Sequence, residues 1–338
     1  MALEIQLLGA EWDSRWDALA GSRKEAGFMQ SSAWANFKRV EGFEALRLGL
    51  FEQGELCGGG TLYFYPAETG SGFLVCPEGP VLDWEDTAKV REGLRLILGV
   101  AQELAEKQGA LGLRIEPRLP KPKPSVLRNW TRSPIDLTPC QTLYIDLTLS
   151  ESEILAQMRP KGRYNLKLAQ RHGVVITESS EVEALTKFYP LFQETATRNG
   201  FFGEPYGFFL NLCTSLLPSD FATFLFAEWE GRLLGTILVL FYGRRATYLY
   251  GGSSDLDRHV MPNYLLHWRA MQLARERGCV EYDLFGFEPF GVPDHLYAGF
   301  SRFKKQFGGA YVETIGSMDN IFYDLLADRL VTEFQQHS

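Results

Sequence analysis

The chain has 338 residues, of which 45% are hydrophobic, 13% aromatic and 22% charged, and its net charge is −8. This length predicts about two domains with a sizeable core. The negative charge argues against a protein that coats nucleic acid, although a local basic patch that contacts the end of an RNA remains compatible with it. Five cysteines lie far apart without metal-ligand spacing, which indicates neither a disulfide framework nor a zinc site.

The N-terminal residues and the apolar stretches predict a cytoplasmic protein. The first residues, MALEI, show no basic segment followed by an apolar run, so no signal peptide is indicated. The longest apolar stretch, 233–242, is too short to span a bilayer. We therefore expect reduced thiols and, if the protein meets a membrane, contact from its surface.

An internal repeat organises the chain. Residues 50–65 read LFEQGELCGGGTLYFY and residues 226–242 read FAEWEGRLLGTILVLFY. When Gly54 is aligned with Gly231, glycine, leucine and aromatic positions coincide. Each segment predicts a β-hairpin that turns at this glycine.

A helix and a strand are predicted after each hairpin. Apolar residues recur at spacings of three and four over about 87–108 and 263–277, and each run stops at a glycine. The pattern predicts two similar α+β domains, residues 1–148 and 149–318, with a cleft between the copies. The boundary lies where Ser150 and Glu153 predict a capping box. A C-terminal helix, 319–338, is expected to pack back on the first domain. One large α/β domain with chance similarity is the alternative.

Known catalytic and cofactor motifs are absent from the sequence. There is no nucleophile–histidine arrangement, no phosphate-binding G-x-x-x-x-G-K-[ST] and no G-x-G-x-x-G, and the histidines lack metal spacing. After the second hairpin the chain reads GGSSDLDRHVMPNYLLHW, with an acidic pair where a coenzyme A acetyltransferase has a basic, glycine-rich loop. We therefore expect neither a metal nor a cofactor.

Two stretches combine cations with a helical pattern. Trp34 and Lys38 are four residues apart in MQSSAWANFKRVEGF, so they share a helix face that suits a nucleobase, sugar or phosphate. A core tryptophan beside a lysine that reaches solvent explains them equally well. Arg163, Lys167 and Arg171 form a cationic stripe that suits an RNA backbone or a pyrophosphate, or else a solvated face.

Two further stretches place polar groups among aromatic residues. Arg198, at a predicted helix end before GFF, has the planar fork that binds phosphate or carboxylate. FSRFKKQFGG, residues 300–309, sets two lysines inside a frame of phenylalanines. Low-dielectric aromatic walls strengthen the electric field of such a lysine. For Arg198 a structural role is equally compatible with the sequence.

Together these segments resemble the FemABX family, the non-ribosomal peptidyltransferases that use aminoacyl-tRNA to add amino acids to the peptidoglycan stem peptide. The resemblance rests on QSSAWANFK, CPEGPVLD, MRPKGRYNLKLAQRHGV, TATRNGF, NYLLHWRAMQLARERGCVEYDLFGF and FSRFKKQFGG, and it covers nearly the whole chain. It implies two acetyltransferase-like (GNAT-type) domains with a cleft between them. The absence of a coiled-coil arm makes the chain similar to the compact FemX type.

The resemblance implies roles for individual residues. Lys304 is expected to stabilise charge on the reacting ester, with the Phe303 carbonyl positioning the amine. The resemblance also implies acceptor binding at Lys38, Arg198, Tyr250 and Tyr206, and Trp34 is expected to join them because it shares the helix face of Lys38. From its charge pattern the stripe of Arg163, Lys167 and Arg171 is expected to contact the tRNA, and Lys305 is expected to face solvent or RNA.

The resemblance also implies the substrates. The expected partners are aminoacyl-tRNA, a UDP-linked or lipid-linked peptidoglycan precursor and, for a lipid-linked acceptor, the inner membrane surface. Three alternatives stay open: an acyl-CoA-type N-acyltransferase of the same fold, a non-catalytic binding protein, and a relative that acts on another peptide.

Overall fold

The computed structural model describes residues 3–66, 72–289, 292 and 298–322. The chain divides into two compact units. Unit 1 comprises the residues up to Cys140 together with those from Thr314 onward, and unit 2 comprises Gln141–Glu313. Unit 2 is therefore inserted between two segments of unit 1.

The secondary structure alternates between strands and helices. The strands are β1 Leu3–Leu7, β2 Ala45–Glu52, β3 Glu55–Pro66, β4 Gly72–Cys76, β5 Ala110–Ile115, β6 Thr131–Arg132, β7 Gln141–Asp146, β8 Val175–Ser179, β9 Ala222–Trp229, β10 Arg232–Tyr242, β11 Arg245–Ser253, β12 Glu281–Asp283, β13 Ala310–Glu313 and β14 Met318–Ile321. The helices are α1 Asp13–Ser22, α2 Ser32–Val40, α3 Thr87–Gln108, α4 Glu151–Gln157, α5 Pro160–Arg171, α6 Leu185–Asn199, α7 Tyr206–Leu216, α8 Pro262–Glu276 and α9 Ala298–Lys304.

Each unit is built on one seven-stranded mixed sheet, and the two strand orders correspond. The sheet of unit 1 has the order β1-β2-β3-β4-β5-β14-β6, and that of unit 2, read from its other edge, β8-β9-β10-β11-β12-β7-β13. The fourth and fifth strands are parallel in both sheets, and the fifth and sixth are antiparallel. This correspondence is the structural form of the repeat in the sequence.

The two hairpins and the following helices confirm the predicted repeat unit. β2 pairs with β3 and β9 with β10, each across a two-residue turn and each with one register shift. Helix α3 spans the predicted residues, and α8 begins and ends one residue before the predicted limits. The predicted capping box at Ser150 and Glu153 opens α4. Separate clusters of buried apolar side chains lie in the two units.

The boundaries of the units differ from the predicted limits of 148 and 318. Strand β7 lies in the predicted first domain, but it pairs with β12 and β13 of unit 2. After Glu313 the chain returns to unit 1, where β14 pairs with β5 and β6. Residues 319–321, at the start of the predicted C-terminal helix, therefore belong to strand β14, and that helix from residue 323 onward lies outside the described residues.

Candidate active site

The parallel strands β11 and β12 of unit 2 separate shortly after they meet. Their pairing stops at Thr247 and Asp283. Beyond this point β11 continues on β10, whereas the chain after β12 follows β7, since the amides of Leu284 and Phe287 donate to carbonyls of β7 at 3.0 and 2.9 Å. The separation opens a cavity of about 300 Å³.

This cavity is lined mainly by aromatic side chains. Its polar members include the Lys304 amine, the Glu204 carboxylate and the Thr195 hydroxyl. The lining residues are Phe192, Thr195, Phe201, Phe202, Glu204, Tyr248, Leu249, Tyr250, Gly251, Phe285, Phe300 and Lys304. An apolar cavity with a few convergent polar groups is the usual form of a small-molecule site.

Close backbone contacts after Lys304 fix the position of this residue at the cavity wall. It is the last residue of α9, and a short 3-10 helix, Lys305–Phe307, follows. Gly308 and Gly309 then adopt positive φ angles of 77° and 82°. A Cβ atom on either glycine would lie 2.3 Å from a backbone oxygen of the segments that pack there. The double glycine therefore permits the close contact that leads into β13.

The Lys304 side chain is 8% exposed, and two backbone carbonyls hold its amine. Nζ donates to the carbonyl oxygen of Phe285 and, at 2.6 Å, to that of Gly286. The ring of Tyr248 lies 5.6 Å from Nζ. Within the described residues, no carboxylate is hydrogen-bonded to Nζ.

Burial changes the protonation of the groups around this amine. Desolvation lowers the pKa of Lys304 to about 7, while the charge of Asp283 acts to raise it. Burial and the charge of Lys304 lower the pKa of His267 to about 3, so this imidazole is neutral. The His267 Nδ1 atom lies 2.9 Å from the hydroxyl of Tyr282.

A β-bulge shapes the wall of the cavity. Leu238 of β10 faces Tyr250, but the next residue, Val239, faces Tyr248, so Leu249 is the extra residue of β11. Bulges of this kind redirect side chains beside active sites. Tyr248 and Tyr250 both line the cavity, and burial raises the pKa of both phenols, so both hydroxyls remain protonated at neutral pH.

Of the residues predicted to bind the acceptor in unit 2, Tyr250 lines the Lys304 cavity, whereas Arg198 and Tyr206 are not among its lining residues. Arg198 ends α6, where its guanidinium donates to the Ser253 carbonyl at 2.9 Å and pairs with Asp255 at 3.2 Å. Asp255, one of the acidic residues that precede α8, thus forms an ion pair with Arg198. Tyr206 begins α7, is 41% exposed and packs edge-on against Tyr189.

Phe303 and Lys305 point away from the Lys304 cavity. The Phe303 ring packs against Tyr264, His267 and Phe307, and it lines a second cavity of about 210 Å³ at the start of α8. Lys305 Nζ pairs with Glu288 at 2.6 Å. The contribution of the Phe303 carbonyl and the contact of Lys305 with RNA both stay predictions.

The three cations of the basic stripe on α5 have different surroundings: Arg163 is hydrogen-bonded to α4, and Lys167 and Arg171 are exposed. The guanidinium of Arg163 donates to the carbonyls of Met158 and Ala156 at the end of α4. Lys167 and Arg171 are exposed and line a cavity of about 530 Å³ with Tyr164 and Gln170. The Arg171 guanidinium lies 5.7 Å from the Tyr164 ring, which is 57% exposed.

Trp34 and Lys38 lie on α2 in unit 1. Trp34 is buried and packs edge-on against Phe28 and Phe37. Lys38 Nζ lies 3.5 Å from the centre of the Phe43 ring. These contacts give Trp34 a packing function in unit 1, and substrate binding by either residue stays a prediction.

The sequence did not single out several residues that build this site. Asp283, His267, Phe285, Gly286 and Glu204 surround Lys304 or line its cavity, yet no motif or spacing in the sequence connects them. In the sequence, the buried acid Asp283 at the end of β12 and the left-handed backbone two residues later appear only as DLFG, which is too short a pattern to indicate a site. Within the described residues there is no group of three potential metal ligands, and no helix is long and apolar enough to cross a bilayer.

Two family models match the chain, one in each half. Residues 13–123 match the FemAB family, and residues 156–305 match the acetyltransferase (GNAT) domain. The first part of the chain is therefore similar to the FemAB family, and the second part to GNAT domains. The predicted α+β fold with GNAT-type domains is confirmed.

Individual relatives agree with this assignment over most of their length. The chain is 24% identical to a lipid II:glycine glycyltransferase of Staphylococcus aureus and 23% identical to one of Staphylococcus epidermidis, with 90% of each chain covered. The crystal structure of FemX superimposes with a TM-score of 0.86 at 21% identity, covering 96% of this chain and 99% of that one. A tandem GNAT protein from the clavulanic acid pathway gives a TM-score of 0.55 at 14% identity.

Proposed function

We propose that this protein transfers an amino acid from aminoacyl-tRNA to an amine of a peptidoglycan stem peptide, on the cytoplasmic side of the membrane. The observation that carries the proposal is the buried Lys304, held by two carbonyls at the wall of an aromatic cavity in the GNAT-type unit. The names of the staphylococcal relatives support a lipid-linked peptidoglycan precursor as the acceptor. A soluble UDP-linked precursor carries the same stem peptide.

The chemistry needs no external activation, because the ester between an amino acid and tRNA is already reactive. The enzyme has to align the acceptor amine with the ester carbonyl and stabilise the charge that develops on the carbonyl oxygen. A charged lysine in a cavity that contains little water can stabilise this oxygen, because charges are screened less there than in solvent. Tyr250 and the surrounding rings supply walls against which the acceptor can pack.

Lys167, Arg171 and Tyr164 form our candidate contact for the acceptor arm of the tRNA. The helix carries no acidic residue between Arg159 and Gly173, although the protein as a whole is acidic. Exposed cations attract phosphates, and an exposed tyrosine can stack on an unpaired base. Arg163, on the same helix, donates to backbone carbonyls at the end of α4 and holds the two helices together.

One incubation tests the proposal. The purified protein is mixed with a pool of charged tRNAs and, in separate reactions, a UDP-linked pentapeptide or its lipid-linked form, and the products are read by mass spectrometry. We expect a gain of one or more amino-acid residue masses on at least one acceptor, and none with uncharged tRNA. No gain on either acceptor with any charged tRNA would contradict the proposal.

The match of residues 156–305 to the acetyltransferase (GNAT) domain favours a second candidate, an acyl-CoA-dependent N-acyltransferase. The acidic residues before α8 disfavour it, because the coenzyme's pyrophosphate needs a cationic or glycine-rich cradle. Titration with coenzyme A distinguishes the two candidates: heat release that saturates at micromolar concentration would support the second.

A further inference from the structure

Helix α7 has apolar side chains on its outer face as well as on its buried face. The side chains that it buries are Phe209, Leu212, Cys213 and Leu216. On the other side of the helix, Tyr206 and Leu210 are 41% and 39% exposed. Between residues 199 and 219 the sequence contains one charged residue, Glu204, which precedes the helix. A surface helix normally carries charged and polar residues on its outer face, and α7 carries no charge there.

The loop before α7 presents a further phenylalanine to solvent. Phe202 is 91% exposed, whereas the ring of its neighbour Phe201 packs edge-on against Phe192 at 6.0 Å between ring centres. On the other side of Phe202, the Tyr189 hydroxyl donates to the Glu204 carbonyl at 3.5 Å. The loop is thus anchored before and after Phe202, and the fold itself holds this ring in water.

Phe202 connects the outer face of α7 with the aromatic cavity. It is one of the residues that line the cavity, and a side chain this exposed can do so only at the opening. Tyr206 and Leu210 follow it in the sequence at intervals of four residues. We call Phe202, Tyr206 and Leu210 the α7 patch. The patch therefore begins at the opening through which a substrate reaches the cavity.

We propose that the α7 patch lies on the surface of a lipid bilayer and brings the cavity to the head group of a lipid-linked acceptor. This contact rests on the proposed function, of which it specifies the lipid-linked form of the acceptor. Phenylalanine, tyrosine and leucine are the side chains that enter the boundary between head groups and acyl chains. Helix α7 has 11 residues and is too short to cross a bilayer, so the contact is made in the plane of the surface.

The size of the patch favours a lipid surface over a second copy of the chain. An aromatic side chain offers about 150–250 Å² of surface, so at the observed exposures the three side chains present about 350 Å². A stable protein–protein contact needs about 800 Å² from each partner. Insertion into lipid has no such minimum, because each side chain that leaves water contributes by its own area.

The charge of the protein also favours an apolar contact. The net charge is −8, so an anionic bilayer repels the molecule as a whole. The exposed cations Lys167 and Arg171 of α5 are the alternative source of attraction. The two sources differ in their response to salt, because salt screens charges and leaves apolar contacts intact.

Partitioning onto vesicles tests the contact without any substrate. The purified protein is mixed with vesicles of phosphatidylethanolamine and phosphatidylglycerol, the vesicles are pelleted, and the bound fraction is measured at about 0.1 and about 0.5 M NaCl. We expect binding that persists at the higher salt concentration. Absence of binding would overturn the proposal, and so would binding that is lost on adding salt, because the cations of α5 would then explain it.

Two variants locate the contact on the protein. Leu210→Glu places a charge in the patch and Phe202→Ser removes its most exposed ring, so each should weaken partitioning about tenfold. Leu7→Glu makes the same change at a leucine of β1 that is 65% exposed and lies outside the patch, and it should partition like the wild type. Partitioning that neither patch variant weakens, or that the control weakens equally, would overturn the proposal. Phe202→Ser keeps the test decisive if Leu210→Glu does not fold.

Transfer to the two forms of the acceptor gives a second readout. Leu210 does not line the cavity, so Leu210→Glu should keep the wild-type rate on the UDP-linked pentapeptide. On the lipid-linked form in vesicles its rate should fall about tenfold. An equal fall on both acceptors would overturn the proposal, because the substitution would then act on the site itself. If the wild type uses neither acceptor, the proposed function fails, whereas the partitioning measurements still decide the contact.

Self-association is the remaining outcome to separate from lipid binding. Sedimentation velocity of the wild type without lipid should show one species at all concentrations that the vesicle experiment uses. A dimer that Leu210→Glu abolishes would assign the α7 patch to a second copy of the chain and overturn the lipid contact.

Discussion

Both units contain a pair of parallel strands at the same place in the sheet. The two pairs differ in whether the chain segments that follow them stay hydrogen-bonded to each other. In unit 1, the residues after β4 and β5 stay hydrogen-bonded, because the Glu116 amide donates to the carbonyls of Cys76 and Gly79 at 3.1 and 3.0 Å. In unit 2, the chains after β11 and β12 separate and leave the cavity that contains Lys304.

Buried polar side chains occupy the corresponding region of unit 1. Glu78 and Arg118 form an ion pair at 2.9 Å, with side chains 2% and 5% exposed. The fully buried Gln30 donates to the Pro77 carbonyl at 2.6 Å and accepts the Thr61 amide at 2.8 Å. The same fold thus contains a buried ion pair in one unit and, in the other, a buried lysine whose amine is hydrogen-bonded to backbone carbonyls. We expect the first arrangement to stabilise the fold, and we propose that the lysine of the second takes part in the reaction.

Arg118→Met tests the structural side of this comparison. Removing one partner of a buried ion pair leaves the other charge uncompensated, so the free energy of unfolding should fall by about 3–5 kcal/mol in chemical denaturation. Arg95→Met, which breaks an exposed pair with Glu92 on α3, should stay within about 0.5 kcal/mol of the wild type. A loss for Arg118→Met as small as that of the control would mean that the pair does not hold this region together.

Lys304→Met tests whether the buried lysine of unit 2 takes part in the reaction. We expect the rate of aminoacyl transfer to fall about 100- to 1000-fold, the usual cost of removing one preorganised stabilising group. Single-turnover measurement with charged tRNA gives this rate directly. Lys187→Met, on the exposed surface of α6, should transfer normally. Near-normal turnover of Lys304→Met would remove Lys304 from the mechanism.

The same Lys304→Met variant should change how stability depends on pH. The folded-state pKa of about 7 lies below the ordinary lysine value, so between these values the unfolded chain binds a proton that the folded chain does not. The wild type should therefore gain about 2–3 kcal/mol relative to the variant between pH 7 and pH 9. Chemical denaturation at both pH values checks this. Parallel pH dependences would show that the lysine titrates normally.

Charge reversal on α5 should give the smallest effect. Lys167→Glu and Arg171→Glu are each expected to raise KM for charged tRNA and to reduce its log–log salt slope by about 0.7–0.9 per lost phosphate contact. KM for the acceptor should not change. Lys107→Glu, in the last turn of α3, is the control for the change in net charge. Equal effects in the control would indicate general electrostatics instead of a binding surface.

The sequence predicted those parts of the structure that depend on local chemistry. Hairpin turns, amphipathic helices and the Ser150 capping box each follow from a few neighbouring residues. The boundaries at 148 and 318 were wrong because β7 and β14 join their sheets through long-range pairing, which leaves no local pattern. The two backbone carbonyls that bind the Lys304 amine could not be predicted for a related reason. The direction of a carbonyl depends on backbone angles, and the apolar residues 284–287 do not reveal those angles.

The insertion of unit 2 between β6 and β14 also bears on how the protein is made. The ribosome delivers every strand of unit 2 as one continuous segment, whereas unit 1 lacks β14 until residues 318–321 have emerged. Until then β5, an apolar strand, has a free edge, and such edges pair with other chains. All strands of unit 2 are therefore synthesised before the sheet of unit 1 receives β14.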